Sequence, residues 1–159
     1  MIRQRLGKDL LFFDGGMGTL LQEKGLAPGE LPETWNLTHS EEIYKIHRQY
    51  IEAGSDIILT NTFGANALKF HDDSCSLEEI IKAAVSHVKK AEREALLQTG
   101  DERKIYTALD VGPTGKLLKP MGDLEFETAY EAFKEVVILG EQAGADLIHI
   151  ETRSDTDEL

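Results

Sequence analysis

Cysteine and long apolar runs are both scarce in this chain of 159 residues. The single cysteine, Cys75, cannot form an internal disulfide, so the fold does not depend on disulfide bonds. No run approaches the roughly 18 apolar residues that a membrane-spanning helix needs, and residues 1–9 are too polar for a signal peptide. We therefore expect a reduced protein that does not cross a membrane.

Positive charge is scarce as well. Lys and Arg number 17 against 29 Asp and Glu, which gives a net charge of −12, and no basic cluster is present. This excludes a nucleic-acid or anionic-membrane surface, because both need local positive charge. The composition, 41% hydrophobic and 29% charged, is ordinary for a globular α/β protein and excludes disorder, collagen and coiled coil. We expect one cytoplasmic domain, or part of one.

Short apolar runs typical of strands alternate with longer segments of helical period. Strands are predicted over 10–13, 56–63, 105–111 and 147–150. Capping boxes at Thr38–Glu41 and Ser76–Glu79 predict the starts of two helices, and a third apolar stripe begins at Phe126. The order is βαβαβαβ, with repeats of about 42 to 48 residues, long enough for the crossovers of a parallel sheet.

Two junctions resemble each other, which favours a repeated β/α architecture. Residues 53–57 (AGSDI) and 143–147 (AGADL) both end a helix at glycine and enter a strand through aspartate. A doubly wound sheet and a (β/α)₈ barrel both satisfy the pattern. Residues 154–157 are typical of another helix start, yet the chain stops at Leu159, and four units are half of a barrel of roughly 250 residues. We therefore expect residues 1–159 to be the N-terminal half of a barrel, about its first four β/α units.

Two glycine-rich segments invite a nucleotide-binding interpretation that their spacing does not support. In 14–19 (DGGMGT), Leu21 stands where the third glycine of a dinucleotide fingerprint belongs. In 112–116 (GPTGK), the first glycine of a phosphate-binding loop is missing, and Leu117 replaces the magnesium-binding Ser or Thr.

The segment after the first predicted strand instead suits an amino-acid head group. Asp14 can pair with an ammonium, and the backbone N–H groups of Gly15 and Gly16 can bind a carboxylate. The alternative is a tight turn that needs positive φ, with Asp14 capping it.

Polar side chains follow the second and fourth predicted strands too. Thr60 and Thr62 share one face, so both hydroxyls can point into a barrel mouth, although threonine is also a routine strand residue. Glu151 directly follows a buried strand, where a carboxylate is costly unless it meets a partner or a ligand. The five histidines have no metal-ligand spacing, and Cys75 has no Cys or His neighbour, so no metal ligand is predicted in this chain.

Four segments together resemble the homocysteine S-methyltransferase family, over essentially all 159 residues. The resemblance is closest to the homocysteine-binding domain of its cobalamin-dependent branch. The segments are 13–19 (FDGGMGT), 59–66 (LTNTFGAN), 110–115 (DVGPTG) and 150–152 (IET).

The resemblance implies a (β/α)₈ barrel that binds homocysteine at its C-terminal face. It implies that Asp14 and Glu151 lie near the substrate ammonium, with Gly15, Gly16 and the Thr60 hydroxyl near its carboxylate. Other pocket positions implied in this way are Thr62, Asn61 and Asn66. Zinc is held in the family by three cysteine thiolates of the second half, so its ligands are expected beyond residue 159, and the fragment alone is expected to be inactive.

The implied reaction is methyl transfer to the homocysteine thiolate, which gives methionine. In the cobalamin-dependent branch the methyl group arrives on cobalamin and is replenished from methyltetrahydrofolate, both held by other modules of the same polypeptide. Relatives use betaine or S-methylmethionine, and the betaine enzymes carry an aromatic residue where this chain has Gly64. A metal-free amino-acid-binding α/β module remains a further alternative.

Overall fold

The computed structural model describes residues 2–70, 75–100 and 102–153, which form a parallel sheet covered by helices. Strands β1 (Ile57–Leu59), β2 (Tyr106–Val111) and β3 (Leu147–Ile150) pair in parallel in chain order. Leu59 is the partner of Ala108 in the register, and Ala108 is the partner of Leu147. A doubly wound sheet reverses its strand order at one point, and the described strands show no such reversal.

Five α-helices and two 3₁₀ turns accompany the described strands. They are α1 (Met17–Glu23), α2 (Trp35–Thr38), α3 (Ser40–Ala53), α4 (Leu77–Thr99) and α5 (Phe126–Ala143), with the 3₁₀ turns at Ile2–Gln4 and Pro32–Thr34. Across the described ranges, no helix has the length and apolar character needed to cross a membrane.

One predicted capping box is confirmed and the other is wrong. Ser76 Oγ accepts from the Glu79 N–H at 3.1 Å, and the Glu79 carboxylate accepts from the Ser76 N–H at 2.9 Å. Thr38 instead ends α2, where its hydroxyl donates to the Thr34 carbonyl at 3.2 Å. Helix α3 begins two residues later without a side-chain cap, because the threonine hydroxyl is already engaged in the preceding turn.

The strands predicted at 105–111 and 147–150 are confirmed, whereas the first two are shorter than predicted. Within 10–13, only Phe13 bridges Ile57, and Leu10 is 83% exposed because this segment pairs on one side alone in the described part of the chain. The strand predicted over 56–63 ends at Leu59, because the Thr62 N–H turns back to the Thr60 carbonyl at 2.8 Å. The helix start predicted at 154–157 lies outside the described residues.

The sheet has an apolar core on each face. Alternation along β2 turns Leu109 and Val111 toward α4 and α5, while Ile58 of β1 packs with α3 and α4 on the same face. The opposite face carries Tyr106 and Ala108 of β2 with residues of the neighbouring strands. The helices cover the face of Leu109 and Val111, so the face of Tyr106 and Ala108 is the helix-free face of the sheet. Polar side chains near the strand ends meet on this face.

The repeated AGxD junctions have the same structure. Gly54 and Gly144 end α3 and α5 with φ of 113° and 95°, a conformation that favours glycine. The Asp56 carboxylate accepts from the Phe12 N–H at 3.1 Å, and the Asp146 carboxylate accepts from the Thr107 N–H at 2.9 Å. Each aspartate therefore ties the entry of its strand to the preceding neighbour in the sheet.

His47 of α3 makes the stability of this fold depend on pH. It is fully buried, neither ring nitrogen has a partner in the described structure, and desolvation followed by the charge of His87 lowers its pKa to about 3 from an ordinary value of 6.5. The unfolded chain takes up this proton near the ordinary pKa and the folded chain does not. We therefore predict that the free energy of unfolding falls as the pH drops below about 6.5.

His47→Leu should weaken this dependence without lowering stability at neutral pH, because no hydrogen bond of the ring is lost. Chemical denaturation of the complete polypeptide across the acid range measures both effects, and His39→Gln at an exposed site is the control. An unchanged acid dependence in His47→Leu would contradict the assignment.

Candidate functional site

An open cavity of about 410 Å³ lies where the described strands end. Its walls come from the segment after residue 13, the second 3₁₀ turn and the residues that end or follow the strands. The lining residues are Asp14, Gly15, Gly16, Met17, Gly18, Pro32, Glu33, Leu59, Thr60, Asn61, Phe63, Asp110 and Glu151. This volume suits a small ligand.

Four carboxyl groups face this cavity, and no Lys, Arg or His side chain is among its lining residues. Asp14, Glu33, Asp110 and Glu151 come from four separate parts of the chain, and Glu33 and Asp110 are only 3% and 6% exposed. Desolvated carboxylates without a counter-charge are unfavourable. A cationic group in the cavity would offset this cost.

Asp14 is fixed by the neighbouring strand. The Leu59 N–H donates to both of its carboxylate oxygens, at 3.2 and 3.1 Å, and the Asp14 N–H donates to the Ile57 carbonyl at 3.0 Å. Burial raises the pKa of Asp14 to about 7, against the lowering effect of these backbone bonds. Asp14 thus changes charge near neutral pH.

The glycines after Asp14 do not form the positive-φ turn considered as an alternative. Neither Gly15 nor Gly16 has positive φ. A Cβ on Gly15 would lie 2.8 Å from the Tyr50 hydroxyl, which donates to the Gly16 carbonyl at 3.2 Å. Glycine is needed at position 15 because Tyr50 packs directly against the backbone, and both glycines line the cavity.

Thr60 and Thr62 form a closed ring of hydrogen bonds with the backbone of Asp110. The Asp110 N–H donates to Thr60 Oγ1 at 3.2 Å, the two hydroxyls are 2.7 Å apart, and Thr62 Oγ1 donates to the Asp110 carbonyl at 2.7 Å. Both hydroxyl protons are used within this ring. Thr60 lines the cavity and Thr62 does not, so the structure brings only Thr60 to the other predicted substrate-binding residues.

The two asparagines implied by the resemblance hold loops. Asn61 lines the cavity, and its amide donates to the Pro32 carbonyl at 2.8 Å. Asn66 is buried, with its amide bonded to the Gly64 carbonyl at 3.3 Å.

Asp110, His149 and Glu151 form a cluster that sequence reasoning did not assemble. One ligand atom from each lies within 4.8 Å of the others, and within the described ranges this is the one group of side chains able to hold a metal ion. Burial, followed by the charge of Glu151, raises the pKa of Asp110. The available signal was the spacing of two between His149 and Glu151, which predicts one face of a strand.

Glu33 is, with Asp110, one of two cavity carboxyls that the sequence analysis missed. Its carboxylate accepts from the Gly64 N–H at 2.5 Å, and burial raises its pKa. A Cβ on Gly64 would lie 2.7 Å from Glu33 Oε1, so a side chain at this position would displace the carboxylate. An isolated glutamate in a Pro-rich loop carries no periodic signal that predicts burial.

A three-thiolate zinc site does not fit the residues of this chain. Cys75 is its single cysteine, and it packs at the edge of the core between α4 and α5. The cluster of Asp110, His149 and Glu151 offers two oxygens and one nitrogen instead of sulfur.

Comparison with known proteins identifies the family. The homocysteine S-methyltransferase model matches residues 11–159. The chain belongs to this family. It is also 30% identical over 162 residues to methionine synthase of Mycobacterium leprae (strain TN), a match that covers 98% of this chain and 13% of that protein.

Solved structures support the fold. The homocysteine methyltransferase MmuM of Escherichia coli matches in its oxidized form with a TM-score of 0.83 at 23% identity, covering 99% of this chain and 58% of that one. Its metallated form matches with a TM-score of 0.84 at 22% identity and covers 59% of that chain. The chain therefore spans little more than half of these structures and about an eighth of the methionine synthase.

The threonine ring gives a test of how Asp110 is held. Thr62→Val should lower the free energy of unfolding by about 1–3 kcal/mol, because it leaves the buried Asp110 carbonyl without the Thr62 donor and the Thr60 hydroxyl proton without an acceptor. Urea denaturation of the complete polypeptide measures this loss.

Thr107→Val is the matched control. Thr107 is also fully buried in the sheet, but its hydroxyl has no partner in the described structure, so this change should be neutral or stabilising. Equal losses in both variants would contradict the role of the ring.

Proposed function

We propose that this chain is the homocysteine-binding, N-terminal half of a (β/α)₈ barrel that transfers a methyl group to the homocysteine sulfur and so forms methionine. The observation that carries the proposal is the cavity at the strand ends, with four carboxyls and no lining cation. Membership of the homocysteine S-methyltransferase family supports homocysteine as the substrate. The consecutive parallel order of the strands supports the barrel.

The substrate's ammonium is proposed to pair with Asp14 and Glu151. Asp14 accepts from the Leu59 N–H and lines the cavity. Glu151 is half-buried at the same cavity and directly follows β3. Charge-assisted hydrogen bonds of this kind fix both the position and the orientation of an amino acid.

The substrate's carboxylate is proposed to lie at the backbone of Gly15 and Gly16, with Thr60 beside it. Both glycines leave the backbone open to the cavity because they carry no side chain. Thr62 contributes through Thr60, to which it is hydrogen bonded at 2.7 Å.

The sulfur is proposed to react as a thiolate. Zinc, held by ligands beyond residue 159, would supply the charge that keeps the thiol deprotonated at neutral pH. The carbon–sulfur bond then forms as the bond between the methyl group and its donor breaks. Residues 1–159 alone are expected to be inactive, since they hold the head group and lack these ligands.

The donor is proposed to be methylcobalamin, replenished from 5-methyltetrahydrofolate, with both bound by other modules of the same polypeptide in the cytoplasm. The similarity to a methionine synthase over 98% of this chain supports this branch. A betaine donor is disfavoured, because this chain has Gly64 where the betaine enzymes carry an aromatic residue for the quaternary ammonium. An S-methylmethionine donor remains the alternative within the family.

The first test is calorimetric titration of L-homocysteine into the zinc-loaded complete polypeptide. We predict binding by the wild type and a loss of about tenfold or more in Glu151→Ala, with zinc still bound, because one charge-assisted hydrogen bond is removed. Glu127→Gln, at an exposed position on α5, is the control. Equal affinity in Glu151→Ala and wild type would refute the head-group assignment, and binding without zinc would favour a metal-free module.

The pH dependence of binding follows from Asp14. Its pKa of about 7 means that a proton must leave this carboxyl before it can pair with an ammonium. Homocysteine affinity should therefore fall as the pH drops below about 7, and the dependence should weaken in Asp14→Asn. Titrations in a pH series measure this, and an identical pH profile in the variant would contradict it.

A further inference from the structure

We propose that Asp110 is a third carboxyl contact of the substrate ammonium and a residue that selects ligands carrying that group. The inference rests on the proposed function and extends it to a residue that neither the sequence motifs nor the resemblance placed in the site. It is carried by the position of Asp110, by its unpartnered oxygen and by the hydrogen bonds that hold its backbone.

The strand register brings Asp110 to Glu151. Asp110 and His149 are partners in the pairing of β2 with β3, and Glu151 follows two residues after His149. Side chains alternate along a strand, so all three residues lie on the helix-free face of the sheet, the face of Ala108. Their ligand atoms lie within 4.8 Å of one another, close enough for Asp110 and Glu151 to contact a single ammonium.

Asp110 Oδ1 has no hydrogen-bond partner among the described residues, although Asp110 is only 6% exposed and lines the cavity. A buried carboxylate oxygen without a donor is costly. The guanidinium of Arg153 donates to the Val111 and Gly112 carbonyls, at 3.1 and 2.9 Å. A ligand N–H can supply this missing donor.

Two side-chain hydrogen bonds hold the backbone of Asp110 in place. Both backbone polar groups of Asp110 are bound by the hydroxyls of Thr60 and Thr62, which are 2% and 0% exposed. Two buried threonines are thus used to hold the backbone of one aspartate. Such rigidity is expected of a residue whose carboxyl must meet a ligand in one orientation.

The charges around Asp110 all favour a cation. Asp14, Glu33 and Glu151 face it across the cavity, and His149 lies beside it on β3. Burial and then the charge of Glu151 raise the pKa of Asp110, which is the behaviour of a carboxyl that lacks its counter-charge. A substrate ammonium supplies that counter-charge.

The experiment compares two ligands that differ only in the amine. L-Homocysteine and 4-sulfanylbutanoate share the thiol, the chain and the carboxylate, so the ratio of their affinities measures recognition of the ammonium. In the zinc-loaded complete polypeptide, Asp110→Asn should lower this ratio by about ten- to hundredfold and leave the affinity for 4-sulfanylbutanoate within about twofold. Asp123→Asn, an exposed aspartate in the loop before α5, is the matched control.

The outcomes separate this inference from the proposed function. A folded Asp110→Asn variant with an unchanged ratio overturns the role of Asp110, and if Asn is not tolerated, Asp110→Ser with a native melting curve serves instead. If the wild type binds neither L-homocysteine nor 4-sulfanylbutanoate, the proposed function itself is contradicted. Equilibrium dialysis against Zn²⁺ tests the remaining alternative, since loss of one bound ion in Asp110→Asn without a change in the ratio would make the cluster a metal site and overturn the inference.

Discussion

The parallel pairing of β1, β2 and β3 is the constraint on which the rest of the structure depends. In a parallel sheet all strands end at the same edge, so residues far apart in sequence meet there. Asp14, Asp110 and Glu151 belong to three different β/α units and reach one cavity for this reason alone. The site is therefore a property of the register, and a shift of one residue in any strand would turn its carboxyl to the helical face.

The electrostatic balance of the cavity follows from the same constraint. Four carboxyls that lie close together in a desolvated space repel one another, and the lining provides no cation to offset them. Burial raises the pKa of Asp14, Glu33 and Asp110, which favours their neutral forms and so reduces the repulsion. Backbone N–H groups also donate to the carboxylates of Asp14 and Glu33. The cavity is thus more favourable with a cationic ligand than without one.

Helices α3, α4 and α5, strands β2 and β3 and five of the cavity residues could be predicted from the sequence, because periodicity, capping boxes and residues at strand ends are local signals. Ser76 and Glu79 are a case in which the local rule holds in full. Thr38 has the same spacing and fails, since its hydroxyl bonds within the preceding turn. The first strand was overestimated because apolar residues such as Leu10 and Phe12 carry a strand signal even where they are exposed.

The cavity residues that the sequence analysis missed depend on tertiary contacts. Asp110 meets His149 only through the register, and Glu33 is buried only because a loop brings it to the Gly64 backbone. Thr62 shows the opposite case, since a hydroxyl expected at the cavity is used inside the protein.

The aspartates that precede β1 and β3, Asp56 and Asp146, bear on how the chain can fold during translation. Asp56 exchanges two hydrogen bonds with the backbone of Phe12, and Asp146 does the same with Thr107. In both cases the partner precedes the aspartate in the chain, so on the ribosome each emerging strand finds its neighbour already synthesised. The fold can therefore grow one β/α unit at a time in the direction of translation, without waiting for sequence that has not yet left the exit tunnel.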